Sequence, residues 1–295
     1  MFSRATRTRF PLARRATLTA KIGLVTEPAL FISIDIHPYV TYVTLHQVKC
    51  GLLRGVVSLC SCKAGFVVHP RTLQNIPIFE KLSGEALEHL AVAASVRTFP
   101  ARHTFFKQGD VPSGLYALQR GQVKLYRQSR ERMQILALLV PPECFGAESL
   151  PNNAPCPYSA TALTPITTLY IPPESLQSIM REHPALQQVL LTLITGRLKQ
   201  FVTLVHTLAF HDVASRVAKL LLLLAEYGGE ETDEGLCIER LLSQQEMAAM
   251  VGTVREVVAR TLKKMEEDGL LHYTRKKIYL HNIPALETLA AQEAR

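Results

Sequence analysis

The segment from Leu242 to Leu280, LSQQEMAAMVGTVREVVARTLKKMEEDGLLHYTRKKIYL, restricts the fold of this chain more than any other. Ser243 followed by Glu246 has the spacing of a capping box, so a helix starts there. Met247, Met250 and Val251 share one face, and Ala248 is small where a second helix must approach. Gly252 then permits a tight turn, and Thr253 is read as the cap of a following helix, through Glu266. That second helix buries Val257, Val258, Thr261, Leu262 and Met265. Helix, short Gly-bearing turn, helix is the plan of a helix-turn-helix. After Gly269, two short apolar segments flank Thr274-Arg275-Lys276-Lys277, which reads as a β-hairpin wing with a basic tip.

The open face of the second helix carries Arg255, Glu256, Arg260, Lys263 and Lys264. An arginine fork matches a guanine edge and a glutamate accepts from a cytosine amine, so Arg255, Glu256 and Arg260 are candidate base readers. Lys263, Lys264, Thr253 and the wing's Lys276 are candidate contacts along the duplex, where phosphates fix register. A mixed charged helix face is ordinarily just solvated. Here the capped helix before it and the hairpin after it favour double-stranded DNA. The overall charge of +8 is no guide. Residues 1–70 hold nine basic side chains against Glu27 and Asp35. Only the local clusters on the second helix and the wing bear on phosphate binding.

The expected fold is α+β in four parts: a basic extension (1–72), an antiparallel β-sandwich or roll (73–182), a long helix (183–210) and a winged helix-turn-helix (211–295). The first part shows no sustained helical or strand period. Its composition fits a transit peptide or a stretch upstream of the true start, and it contributes nothing to the fold argument. In the second, Ser83–Val92 suggests a helix, and short segments at Thr104–Phe106, Gly114–Gln119, Gln122–Arg127, Gln134–Val140 and Thr167–Ile171 alternate with Gly- and Pro-bearing turns. In the third, Leu190, Ile194, Arg197, Phe201, Leu204 and Leu208 step by four and three, the spacing of a two-helix dimer seam, with Arg197 as its polar exception. In the fourth, Asp212–Tyr227 is a helix ended by Gly228-Gly229, and Glu230–Glu234 is read as a solvated turn.

No apolar run reaches the ~20 residues of a membrane helix, so a cytoplasmic chain is expected. Cys50, Cys60, Cys62, Cys144, Cys156 and Cys237 have no zinc or disulfide spacing and read as structural thiols. The sequence offers no nucleophile elbow, phosphate loop, metal pair or paired carboxylates, so neither an enzyme nor a metal site is expected.

From about Leu73 onward the chain resembles the catabolite activator/fumarate–nitrate regulator (CRP/FNR) superfamily. Arg255, Glu256 and Arg260 resemble its base-reading RExxxR run, and Val254 departs from the small polar residue usual there. FKQGD (Phe106–Asp110), LYALQRGQVKLY (Leu115–Tyr126), FGAESL (Phe145–Leu150) and YSATAL (Tyr158–Leu163) resemble its cyclic-nucleotide-type roll. The resemblance implies a homodimeric transcription regulator on palindromic, TGTGA-like sites, with RNA polymerase and a small-molecule effector as further partners. It places the effector pocket at Gly146, Glu148, Tyr158 and Ser159. Tyr158 stands where cyclic-AMP binders carry arginine, and Glu148 lies one place late, which argues against ordinary cyclic-AMP binding. Asn75 precedes Ile76-Pro77 where the iron–sulfur branch carries cysteine, which argues against a cluster. His103 and Cys144 are the residues a haem would have to use, and the effector is left unidentified. The alternative expectation is a ligand-sensing or protein-interaction module whose winged helix no longer reads DNA.

Overall fold

The computed structural model describes strand residues 20–25, 29–36 and 39–45, and residues 68–293 except 112, 131 and 149–153. Strands β1 (Ala20–Val25), β2 (Ala29–Ile36) and β3 (Tyr39–Leu45) form an antiparallel sheet in that order. The sequence reading found no strand period here, and the structure corrects it. FISIDI and YVTYVTL are rich in β-branched and aromatic residues, which favour extended backbone even in runs too short to establish a period.

The next unit opens with α1 (Pro70–Gln74), a 3-10 turn at Pro77–Phe79 and α2 (Gly84–Ala93). The Ser83 hydroxyl caps α2 by accepting from the Ala86 N–H at 3.3 Å. Eight strands follow: β4 (Ser95–Phe99), β5 (Thr104–Phe106), β6 (Leu115–Arg120), β7 (Val123–Ser129), β8 (Arg132–Leu139), β9 (Cys144–Phe145), β10 (Ser159–Ala162) and β11 (Ile166–Ile171). They make two antiparallel sheets, ordered β5-β10-β7-β8 and β4-β11-β6-β9. Leu118, Val123, Leu125, Leu139, Phe145 and Ala160 fill the space between them. Each strand heard in the sequence lies within two residues of an observed one. The strands β4, β9 and β10, too short or too polar to show alternation, match none of the expected segments.

Helix α3 (Pro173–Glu182) leads into α4 (Ala185–Phe210), whose 26 residues span ~39 Å. The stripe read as a dimer seam faces the chain's own roll and winged helix: Leu190 and Arg197 are buried, and Ile194, Phe201, Leu204 and Leu208 are half-buried. The open apolar stripe lies one residue later. Leu191, Leu198, Val202 and Val205 are 55%, 61%, 61% and 65% exposed and step by seven, four and three. A one-residue shift turns a helix face by ~100°, so the two stripes look alike in sequence but face directions more than a quarter turn apart.

Helix α5 (Val213–Gly228) is capped by Asp212, whose carboxylate accepts from the Ser215 N–H at 2.7 Å. The acidic stretch expected as a solvated turn is strand β12 (Gly229–Thr232), paired with β13 (Gly235–Glu239). Its exposed glutamates tolerate the strand because the sheet's edge faces solvent. Then come α6 (Gln244–Val251), α7 (Arg255–Glu267), β14 (Leu271–Tyr273), β15 (Lys277–Leu280) and α8 (Ile283–Ala291). The four strands form a sheet ordered β12-β13-β15-β14.

The two units share a core. Ile135 and Leu138 of β8 are buried in the same cluster as Val217, Leu221, Met247 and Val251. Gln134 Nε2 donates to the Met250 carbonyl at 3.2 Å, and Lys124 Nζ meets Glu246 Oε1 at 2.7 Å. Burial alone would raise the Glu246 carboxyl. Hydrogen bonds from Lys124 and from the Ser243 backbone and hydroxyl outweigh it and hold the carboxyl below the usual glutamate range. The first helix of the helix-turn-helix is therefore docked on the β7–β8 hairpin of the roll.

Among the described residues no helix is long and apolar enough to cross a membrane.

Candidate nucleic-acid interface and a buried charge cluster

Ser243 and Glu246 close the expected capping box. The Glu246 N–H donates to Ser243 Oγ at 3.2 Å, and the Ser243 N–H donates to Glu246 Oε2 at 3.0 Å. Gly252 ends α6 in the left-handed region, with φ of 68°. An added Cβ would stand 2.5 Å from Leu208 Cδ2 of α4, so both conformation and space call for glycine. Thr253 is not the cap of α7. Val254 holds that position without a side-chain hydrogen bond, and the Thr253 N–H is bound to the Ala248 carbonyl at 2.9 Å. Glu266 lies in the last turn of α7, where its carboxylate meets His272 Nδ1 at 2.7 Å and braces the wing. Only the cap is overturned: the turn's own backbone bond leaves Thr253 outside the helix, which runs to Glu267, one residue past the expected end.

Helix α7 sorts its faces cleanly. Val258, Leu262 and Met265 are buried against α5 and α6, while Arg255, Glu256, Arg260, Lys263 and Lys264 are exposed. Arg255, Glu256 and Arg260 occupy the first turn and a half. Lys263 pairs with Glu267 at 3.7 Å across one turn, an exposed pair of little energetic weight. At the wing tip, Thr274 Oγ1 accepts from the Lys277 N–H at 3.0 Å, which fixes the turn and leaves Arg275 and Lys276 exposed. Arg240 Nη1 reaches the Thr274 carbonyl at 3.4 Å from behind. The structure thus gathers Arg255, Glu256, Arg260, Lys264 and Lys276 on solvent-facing elements of one small domain, with Thr253 half-buried in the turn.

The four residues expected to form an effector pocket fare differently. Gly146 adopts φ of +89°, and a Cβ there would strike the Gly114 carbonyl oxygen at 2.5 Å. Its N–H donates to Glu148 Oε2 at 2.8 Å, folding that carboxylate back over the loop. Ser159 is engaged within the roll, where its hydroxyl accepts from the Gln108 N–H at 2.9 Å. Tyr158 points inward and its ring meets Phe201 of α4 at 6.3 Å. Burial pushes its hydroxyl well above the ordinary tyrosine range, and the Glu148 carboxylate pushes the same way.

The residue that the sequence reading passed over is Arg197. Counted as the flaw in an apolar stripe, it is 6% exposed and enters the roll from α4. Its Nη1 donates to Gln200 Oε1 at 2.6 Å, and its Nη2 reaches Glu143 Oε2 at 3.2 Å and the Cys144 carbonyl at 3.3 Å. Glu148 Oε1 stands 3.9 Å from its Nε. Glu148 Oε1, Tyr158 Oη and Arg197 Nε are buried without a hydrogen-bond partner in the protein. Beside Arg197 and its partner Glu143, a cavity of about 380 Å³ opens between Pro77, Pro142 and Leu193. A lone charged residue in an apolar helical repeat was the available signal for this site.

These donors do not fit a cyclic phosphate held in the ordinary way. A phosphate at the Tyr158 corner would meet the Glu148 carboxylate rather than an arginine fork, and Arg197 is already shared among carboxylates. Cys144, a candidate haem ligand, is a buried thiol that burial and the neighbouring Glu143 and Glu148 push up to about 12. His103, the other candidate, stacks on Phe99 at 4.4 Å between ring centres. Cys144, Cys156 and Cys237 are buried and form no disulfide, and Cys50, Cys60 and Cys62 lie outside the described residues.

A capped helix-turn-helix with a wing, joined by a long helix to an antiparallel roll, defines a DNA-binding regulator rather than an enzyme. Residues 96–183 match the cyclic nucleotide-binding domain family, and residues 215–289 match the Crp-like helix-turn-helix domain. The global nitrogen regulator of Synechocystis is 33% identical over 212 residues, covering 71% of this chain and 92% of its own. The CRP-like cAMP-activated global transcriptional regulator of Mycobacterium tuberculosis is 29% identical over 204 residues, covering 69% and 91%. Among solved structures, the c-di-GMP responsive global regulator CLP of Xanthomonas campestris has a TM-score of 0.61 at 25% identity, over 68% of this chain and 100% of its own. FixK2 from Bradyrhizobium japonicum shares the fold, with a TM-score of 0.59 at 21% identity over 68% and 99%. This chain belongs to the CRP/FNR family of transcription regulators.

Proposed function

We propose that two copies of this chain pair through the open stripe of α4 and read a palindromic duplex with TGTGA-like half-sites. Arg255, Glu256 and Arg260 contact base edges, while Lys263, Lys264, Lys276 and Thr253 hold the flanking backbone. Pairing along α4 sets two α7 helices ~34 Å apart, in successive major grooves. In domain terms, residues 73–182 sense, 183–210 dimerise and 211–295 bind DNA. A small-molecule effector acts at Arg197, Glu148 and Tyr158, where Gly146 shapes the loop and Ser159 braces it. RNA polymerase is the protein partner that follows from such a role.

The observation that carries this reading is the joint exposure of Arg255, Glu256 and Arg260 on α7 while its opposite face is buried. Fluorescence anisotropy of the chain against a TGTGA-type palindrome and a scrambled duplex tests it at fixed salt. Palindrome-selective binding, in the ground state or with an effector supplied from a metabolite screen, is the expected result. Equal affinity for both duplexes under every condition would sink it.

The dimer has its own test. Aspartate at both Leu198 and Val202 would bury unpaired charge against its symmetry mate, and such burial costs several kcal/mol. We expect the dimer dissociation constant to rise by roughly two orders of magnitude, seen by light scattering. A variant that stays dimeric at the wild-type concentration would place the interface elsewhere.

A further inference from the structure

One side chain from α2 converges with two neighbouring ones at the end of α3, none of them part of the charge cluster or the helix-turn-helix. His89 lies on α2, Glu182 is the last residue of α3, and His183 caps that helix, with its N–H bound to the Ile179 carbonyl at 2.8 Å. His183 Nε2 and His89 Nδ1 stand 2.9 Å apart, and Glu182 Oε2 is 3.4 Å from the same His89 nitrogen. One ligand atom from each of the three residues lies within 4.8 Å of the others. The rings meet edge to face, with centres 4.9 Å apart.

Hydrogen bonding alone serves this arrangement badly. His89 Nδ1 carries either one proton or one lone pair. As a donor, its single proton is divided between the carboxylate and the second imidazole. As an acceptor, its lone pair faces the carboxylate. A cation satisfies all three lone pairs at once. In a tetrahedral zinc site with bonds of ~2.0–2.2 Å, neighbouring ligand atoms stand ~3.3–3.6 Å apart. The 3.4 Å contact already has that spacing, and the 2.9 Å contact needs an opening of a few tenths of an ångström.

We propose that His89 Nδ1, His183 Nε2 and a Glu182 carboxylate oxygen form a site for a divalent first-row transition ion of the zinc type, with water completing the coordination. Two imidazoles and a carboxylate suit such an ion better than the all-oxygen shells of calcium or magnesium. His89 and Glu182 are exposed and His183 is half-buried, so an ion can reach the three from solvent. The site ties α2 to the C-terminus of α3, and Pro184 and α4 follow without a spacer. Metal would therefore brace the joint from which the long helix departs. Ninety-three residues of separation between His89 and Glu182 hid the cluster from any reading of local spacing. The inference does not depend on the DNA-binding reading, and its test contains no DNA.

The experiment is a Co²⁺ titration of the metal-stripped, reduced full chain, read by visible absorption and followed by displacement with Zn²⁺. It is repeated on H89A, H183A, E182Q and the H89A/H183A double variant, with far-UV circular dichroism confirming that each is folded. The wild type is expected to bind one equivalent more than the double variant, with the visible band of four- or five-coordinate cobalt, and to release it to Zn²⁺. Each histidine variant should weaken that equivalent at least about tenfold. Zn²⁺ should also raise the melting temperature of the wild type and leave that of the double variant unchanged. Identical titrations of wild type and double variant, or no binding by the wild type in large metal excess, would overturn the site.

Discussion

Alanine at Arg255 or at Arg260 will weaken binding to the palindromic duplex by ~1–3 kcal/mol per substitution, about five- to 150-fold. Both side chains are exposed on the first turn and a half of α7, and neither packs in the core, so the fold should be indifferent to the change. The loss should be selective. An arginine fork on guanine discriminates between bases, so each variant relaxes preference at one position of the half-site and leaves affinity for a scrambled duplex nearly intact. Lys264→Ala is the control with the opposite signature: a uniform loss across sequences and a shallower salt dependence. Anisotropy titrations over a range of salt read all three variants. Should the arginine variants keep the wild-type ratio between palindrome and scrambled duplex, α7 is not the reading element.

The second large effect is expected at Arg197. Methionine there preserves most of the side chain's volume and removes the guanidinium. Glu148, whose side chain is 11% exposed, then keeps a charge with no counter-ion, and Glu143 loses its 3.2 Å partner. Breaking a buried pair from one side costs ~3–5 kcal/mol, whereas removing both charges costs far less. Arg197→Met should therefore lower unfolding free energy by about that amount in urea, and the double variant Arg197→Met, Glu148→Gln should recover most of it. A single variant as stable as the wild type would mean that the cluster is solvated and uncoupled from folding. The same pair of variants bears on the effector: if a ligand acts through these groups, its stabilisation of the protein disappears in the double variant even where stability has been restored.

Much of the DNA-binding half was legible because its determinants are local. A capping box, a glycine at φ of 68°, a hairpin turn closed by Thr274 and the alternation of buried and open positions on α7 each involve residues within about a dozen of one another. The β-roll strands were legible for the same reason, as short alternating runs between glycine turns. Thr253 shows the limit. A threonine before a helix is a good cap, but whether it or its neighbour caps depends on where the turn's backbone bonds fall, and here the bond from Thr253 to Ala248 moves the helix start along by one.

What the sequence determined by itself, then, is the strongly patterned elements and the chemistry each carries: five of the roll strands, a long helix, a capped helix-turn-helix and a basic face on α7. Only the tertiary structure decided which way those elements turn. On α4 two apolar stripes one residue apart are equally good as patterns, and the packing of the roll and of the winged helix takes one and leaves Leu198, Val202 and Val205 to solvent. That choice carries Arg197 inward to meet Glu143 and Glu148, and other tertiary contacts seat α6 on β8 and bring His89 beside Glu182 and His183. Hydrophobic burial is non-directional, so a periodic pattern specifies that a face will be covered, and the partner that covers it is set by contacts between segments distant in the chain.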